Sequence, residues 1–315
     1  MRRARVLPVL MLLAAAFLSC RGGGAREEAR REGPLRAVCT TTFVADLVRQ
    51  VGGRDVEVVT IMGPGTDPHR YAPRREDARR LAEADIIFAN GLGLEAGLTG
   101  ALAKAARRRL VVSLGDSIHP TYLRPDPEAE GRFDPHFWWD PVLWERAGGI
   151  VMKSLARRDS AHAPAYDERF NLFAKAIAPV TDWARQELAA IPETRRVLVT
   201  AHEGFGYFAR THEWEAAAAQ SATPERGGDE RARRRALDLA VRRRPRALFA
   251  ERESPARPCE ELLAACRERG LTTQLAGPLW ADALDAPDRP AGTYQGALGE
   301  NVEMIVAALR GGTDD

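Results

Sequence analysis

The sequence predicts an α/β protein of two lobes with mostly parallel sheets, joined by one long helix. Apolar, β-prone runs alternate with helical stretches over 35–114, and the same alternation resumes from residue 196. Between them, residues 160–191 carry a helical pattern long enough to link two lobes. The 315 residues, 45% hydrophobic and 29% charged, suffice for two packed domains and exclude collagen-like, disordered and disulfide-scaffold chains.

Residues 1–19 pair a basic start (Arg2, Arg3, Arg5) with an apolar run over 6–18 that is too short to span a membrane as a helix. This reads as an export signal. Ser19 followed by Cys20 resembles a lipoprotein cleavage box, in which the cysteine becomes the lipid-anchored first residue, with secretion as a soluble protein the alternative. Residues 20–34, charged and glycine-rich, read as a flexible tether. Removing Arg2, Arg3 and Arg5 from the 46 basic residues leaves 43 against 44 acidic ones, and that near neutrality argues against a nucleic-acid partner. No later apolar run is long enough to span a bilayer, so a transport role needs a separate permease, and the mature chain is expected to be extracytoplasmic.

In the first lobe (35–159), strands are expected at 35–41, 56–62, 86–90 and 110–114, with helices at 42–52, 74–84 and 95–108. In the connecting helix (160–192), Phe170, Phe173, Ile177, Val180 and Trp183 recur at three-to-four spacing. Pro164 suits a first turn, whereas Pro179 predicts a kink and leaves two shorter helices open. The second lobe (193–315) reads as strands at 196–200, 247–250 and 272–275 and helices at 232–243, 259–270 and 299–309. The charged stretch 222–235 reads as a solvated loop and helix face. Besides Cys20 there are Cys39, Cys259 and Cys266, an odd set that implies no disulfide framework. Seven residues of helix raise Cys259 and Cys266 about 10.5 Å apart, beyond disulfide reach, and their spacing matches no zinc-ligand pattern.

The chemistry lies in three of the six histidines. His69 sits in Asp67-Pro68-His69-Arg70-Tyr71, just after a predicted strand, where the aspartate can accept backbone N–H groups and proline fixes the chain ahead of the imidazole. The tripeptide recurs as Asp134-Pro135-His136, followed by Trp138 and Trp139, which can shield a site from water. His202 lies in Thr200-Ala201-His202-Glu203-Gly204-Phe205-Gly206-Tyr207, immediately after a predicted strand. α/β proteins place ligands at the carboxyl ends of strands, so the three are expected to converge. Three imidazoles and one carboxylate make a four-coordinate set for a borderline cation such as zinc.

These segments stand in order with Asp46 and Gly52-Gly53, Asn90-Gly91-Leu92-Gly93-Leu94-Glu95, Leu279-Trp280-Ala281-Asp282-Ala283-Leu284, Tyr294 and Asn301. Over nearly the whole mature chain they resemble the metal-binding lipoproteins of zinc and manganese ABC importers, the cluster A-I family of substrate-binding proteins. The resemblance implies a metal held between the lobes by His69 and His136 from the first and His202 and Asp282 from the second. Asp282 follows from the Leu-aromatic-x-Asp-x-Leu segment. Asp285 is the lesser alternative, and the residues themselves do not separate the two. The cargo so implied is zinc first and manganese second. His202 stands where harder-cation members carry a carboxylate, but the region 118–133 holds only His119 and no histidine-rich loop. The partners implied are a membrane permease and its ATPase, with lipid anchoring at Cys20. A single rigid connector implies small lobe movements, so release would need local rearrangement or permease docking.

Two rival readings use the same residues. A zinc hydrolase needs three histidines and an open fourth position, which a fourth carboxylate closes, and no Gly-x-Ser-x-Gly or His-Glu-x-x-His motif is present. A metal-buffering adhesin needs no transporter. Of the neighbours, Glu203 reads as a helix-start residue or an alternative carboxylate, and Glu251 as an acceptor behind an imidazole. His119 and His162 read as solvent-facing, and His212 as a weak external site at most.

Overall fold

The computed structural model describes residues 33–127, 129–221 and 228–310; the expected export signal, Cys20, nearly all of the tether and part of the 222–235 stretch lie outside them. Largely apolar segments such as Leu35–Cys39 and Ile86–Ala89, buried on both faces, form parallel strands covered by helices. The first sheet contains β1 (Leu35–Cys39), β2 (Val56–Thr60), β3 (Ile86–Ala89) and β4 (Leu110–Ser113) in the order β2-β1-β3-β4, all parallel. Helices α1 (Thr42–Gly52), α2 (Arg75–Glu83) and α3 (Thr99–Ala105) make the crossovers. Thr41 caps α1 by accepting from the Val44 N–H.

The second sheet repeats this order. β5 (Val197–His202), β6 (Glu215–Gln220), β7 (Ala247–Glu251) and β8 (Gln274–Leu279) lie parallel as β6-β5-β7-β8. Helices α6 (Gly206–His212), α7 (Gly228–Arg243) and α8 (Arg257–Glu268) accompany them. In each sheet the chain changes direction at its first strand, which opens a crevice at the carboxyl ends of the two central strands.

Helix α4 (Pro141–Arg158) precedes the long helix α5 (Ala163–Ala189), and α9 (Tyr294–Arg310) closes the chain. α5 is one helix, which settles the choice between one helix and two. Its buried residues, Tyr166, Phe173, Ile177, Thr181, Ala184 and Leu188, continue across Pro179, which faces solvent on the opposite side. Packing of that continuous face outweighs one lost backbone hydrogen bond. α5 packs on α1, α4 and α9, and one apolar core runs from Leu35 to Leu309.

Three elements escaped the periodicity. In α4 the pair Gly148-Gly149 interrupts the pattern. Gly148 is required there because a Cβ would stand 2.9 Å from Phe173 Cε1. α6 is only seven residues long. β6 is mostly alanine, a poor strand former that becomes a strand by pairing with β5. Among the described residues, no helix is long and apolar enough to cross a membrane.

Candidate metal centre

Each of the four sequence-derived side chains is delivered by a different loop or strand end. After β2, the carboxylate of Asp67 accepts the backbone N–H groups of His69 at 2.8 Å and Arg70 at 3.3 Å. In the second Asp-Pro-His, Asp134 Oδ1 accepts from the His136 N–H at 2.9 Å and also meets His136 Nδ1 at 2.6 Å. Asp134 is itself held by Arg124 at 2.8 Å, and its carbonyl accepts from the Tyr207 hydroxyl at 3.1 Å. The Asn90 amide holds the Pro135 carbonyl at 3.0 Å.

His202 is the last residue of β5, and Glu251 is the last of the neighbouring strand β7. That adjacency puts Glu251 Oε2 2.5 Å from His202 Nδ1 and Oε1 3.1 Å from the His202 N–H. A Cβ at Gly204 would stand 2.6 Å from His202 Cε1, so the turn after His202 must be glycine for the ring to keep its place. Asp282 follows β8. Asn301 of α9 brackets Trp280, accepting from its N–H at 2.9 Å and donating to its carbonyl at 2.7 Å. Trp138 donates its indole N–H to the Ala281 carbonyl at 3.1 Å, tying the His136 loop to the Asp282 loop.

The result is convergence. His136 Nε2 lies 3.0 Å from His69 Nε2 and 3.2 Å from His202 Nε2. Asp282 Oδ2 is 3.6 Å from His69 Nε2 and 3.2 Å from His202 Nε2, and Oδ1 is 3.4 Å from His136 Nε2. A tetrahedral zinc with bonds of about 2.0–2.1 Å has ligand atoms about 3.3 Å apart, so these separations suit one cation shared by four donors. His136, His202 and Asp282 are buried, and Asp282 Oδ1 has no hydrogen-bond partner. A buried carboxylate oxygen without a donor is costly, and a cation would satisfy it.

The charges are coupled. Burial, reinforced by His136 and His202, pushes His69 down to about 3 against the attraction of Asp282. Burial opposes charge on His202 too, but Asp282 and Glu251 flank it and hold it well above its ordinary value. Burial alone would raise Asp282, yet His202, His69 and His136 keep its carboxyl far below the usual carboxylate range. These neighbours favour the carboxylate form of Asp282 and, with no cation bound, the protonated form of His202.

The remaining polar residues lie elsewhere. Asp285 accepts from the Ala286 N–H at 2.7 Å and is outside the cluster. Glu203 is buried and paired with Arg235 at 2.7 Å, which makes it neither a helix-start residue nor a spare ligand. His119 and His162 are exposed, on Thr121 and Asp159. His212 packs on Phe208 with ring centres 4.6 Å apart, and burial and Arg185 bring it down to about 4. Cys39, Cys259 and Cys266 are buried free thiols. Sequence reasoning missed the Asp134 contact with the imidazole. It also missed Glu253, which accepts from the Ala281 N–H at 3.3 Å beneath Asp282. No local pattern marks Glu253, since its partner is 28 residues away.

A family model described as zinc-uptake complex component A, periplasmic (ZnuA), matches residues 37–308. The chain belongs to the ZnuA family. Among its ZnuA-family relatives is the zinc-binding protein TroA of Treponema pallidum (strain Nichols), 34% identical over 284 residues that cover 90% of this chain and 91% of that protein. The manganese-binding lipoprotein MntA of Bacillus subtilis (strain 168) is 28% identical over 308 residues, covering 98% and 100%. The solved structure of the periplasmic zinc-binding protein TroA superposes with a TM-score of 0.82 at 31% identity, covering 88% of this chain and 99% of that one. ZnuA-family membership agrees with the resemblance carried by the histidine segments.

Proposed function

We propose that this chain is the extracytoplasmic substrate-binding component of an ABC importer, capturing one divalent transition metal for delivery to a membrane permease driven by a separate ATPase. His69, His136, His202 and Asp282 are the proposed ligands, with zinc the first cargo and manganese the second. The observation that carries the reading is the meeting of three imidazole Nε2 atoms and one buried carboxylate, all within 4.8 Å of one another. The borderline nitrogen-rich set favours zinc, and the zinc-binding TroA and the manganese-binding MntA support both cargoes. The relatives described as lipoproteins support lipid anchoring at Cys20 and an extracytoplasmic location. We read the lobes as residues 35–159 and 193–315 around the 160–192 helix.

The geometry speaks for cargo binding over hydrolysis. Asp282 supplies the fourth donor, and the cavity beside the cluster, about 20 Å³, has room for a water or a bare cation. Metal capture displaces the proton from His202 so that all three imidazoles bind unprotonated, and release requires local rearrangement or permease docking.

Native mass spectrometry of the chelator-stripped mature protein given equimolar zinc and manganese tests this. One tightly held zinc, lost in His202→Ala, is expected. Preferential manganese occupancy reverses the cargo order, and the absence of any stoichiometric metal overturns the ligand set. Intact-mass analysis of the membrane fraction, with Cys20→Ser as control, tests the anchor.

A further inference from the structure

The four proposed ligands are not equally reachable. His136 is fully buried and does not line the cavity, whereas His69, His202 and Asp282 do. The cavity is therefore the open side of the cluster, with His136 behind it. The cavity is also lined by Asp67, Arg70 and Gln220. Among the described residues, Asp67 is the only carboxylate on this lining besides Asp282. Its Oδ1 is occupied by the His69 and Arg70 N–H groups, and no hydrogen bond among the described residues uses Oδ2. Burial and, after it, the charge of Asp282 raise the Asp67 carboxyl above its ordinary value, and a divalent cation on this lining would offset both.

We propose that Asp67 forms a transient outer site for the incoming divalent cation, at which the ion exchanges its first waters before passing to His69, His202 and Asp282. This rests on the cargo-binding reading above. A carboxylate suits the step because a hydrated cation at a narrow opening has to replace water oxygens in sequence, and an unpaired, negatively charged oxygen both attracts the ion and replaces one of them. Arg70, on the same lining, opposes a cation and so sets a second, opposite handle on the rate.

Because Asp67 would touch the ion only in passage, it lowers the barrier in both directions. The test is stopped-flow tryptophan fluorescence with zinc alone, Trp138 lying 5.1 Å from the His136 ring, followed by chelator-chased release. Asp67→Asn keeps a carbonyl oxygen for the turn while removing the charge. The expected result is a fall of about tenfold in both association and release rates, with less than about a threefold change in Kd and a weaker dependence of association on salt. Arg70→Gln is expected to raise the association rate and decides the matter alone if Asp67→Asn does not fold. An unchanged association rate in Asp67→Asn, a loss of affinity arising wholly from faster release, or no gain in Arg70→Gln overturns the outer site. Wild-type protein that holds no stoichiometric zinc overturns the cargo-binding reading itself, an outcome distinct from all of these.

Discussion

In both copies of Asp-Pro-His the aspartate accepts the N–H of the histidine two residues on, at 2.8 Å from Asp67 and 2.9 Å from Asp134. Beyond that bond the copies diverge. Asp134 also reaches the ring Nδ1 of its histidine, and Arg124 and the Tyr207 hydroxyl hold the Asp134 residue from behind. Among the described residues no carboxylate reaches His69 Nδ1, and the His69 side chain is 8% exposed where that of His136 is fully buried. One tripeptide therefore yields a fixed ligand at the back of the site and an adjustable one at its mouth. The lesson is that a local turn sets where an imidazole starts, while the groups packed behind it set how firmly it is held.

The largest expected effect separates the two histidines directly. His136→Ala removes the ligand at the centre of the cluster and is expected to abolish stoichiometric zinc binding in a calorimetric titration, whereas His69→Ala keeps weak binding; equal losses would break the comparison. Next comes the support. Asp134→Ala is expected to cost about 10–100-fold in zinc affinity, the usual scale for a carboxylate behind a metal-bound imidazole, as read by competition with a chromophoric chelator. Glu251→Ala is expected to fall in the same range because it backs His202 in the same way.

A pH series sharpens the contrast further. In the metal-free protein His202 is held above its ordinary value of about 6.5, so a cation must displace its proton at neutral pH, and affinity falls as pH drops through that folded value. His69, at about 3, is already deprotonated and adds no dependence until strongly acidic conditions. Glu251→Gln removes one of the charges raising His202 and is expected to move the midpoint to lower pH, while a midpoint that stays put would reassign the titration. The smallest effect is on stability. Tyr207→Phe loses the hydroxyl that accepts from the Arg124 N–H and donates to the Asp134 carbonyl, and is expected to cost about 1–2 kcal/mol in chemical denaturation.

Much of this was legible in the chain. The alternation of strand and helix placed α1, β3 and β7 within a residue or so of their observed ends, because hydrophobic period and turn chemistry are local properties. The three histidines were conspicuous for the same reason: Asp-Pro-His restricts the backbone on either side, and His202 stands just after a predicted strand, which in the structure runs on to include it. The elements that escaped, α4, α6 and β6, are those in which local signals conflict. A helix broken by glycines in sequence and a strand made of alanines take their form from what they pack against.

By itself, then, the sequence determined the two-lobed α/β class and three of the four converging side chains. Only the tertiary structure decided that Asp282 joins the histidines while Asp285 turns away, that Asp134 and Glu251 stand behind His136 and His202 while Glu203 pairs with Arg235, and that Asp67 is left at the mouth. The physical reason is range. Periodicity and turns act over a few residues, whereas the distance between His69 and Asp282 is set by strand order, by the adjacency of β5 and β7, and by how α9 and α5 bring the two sheets together.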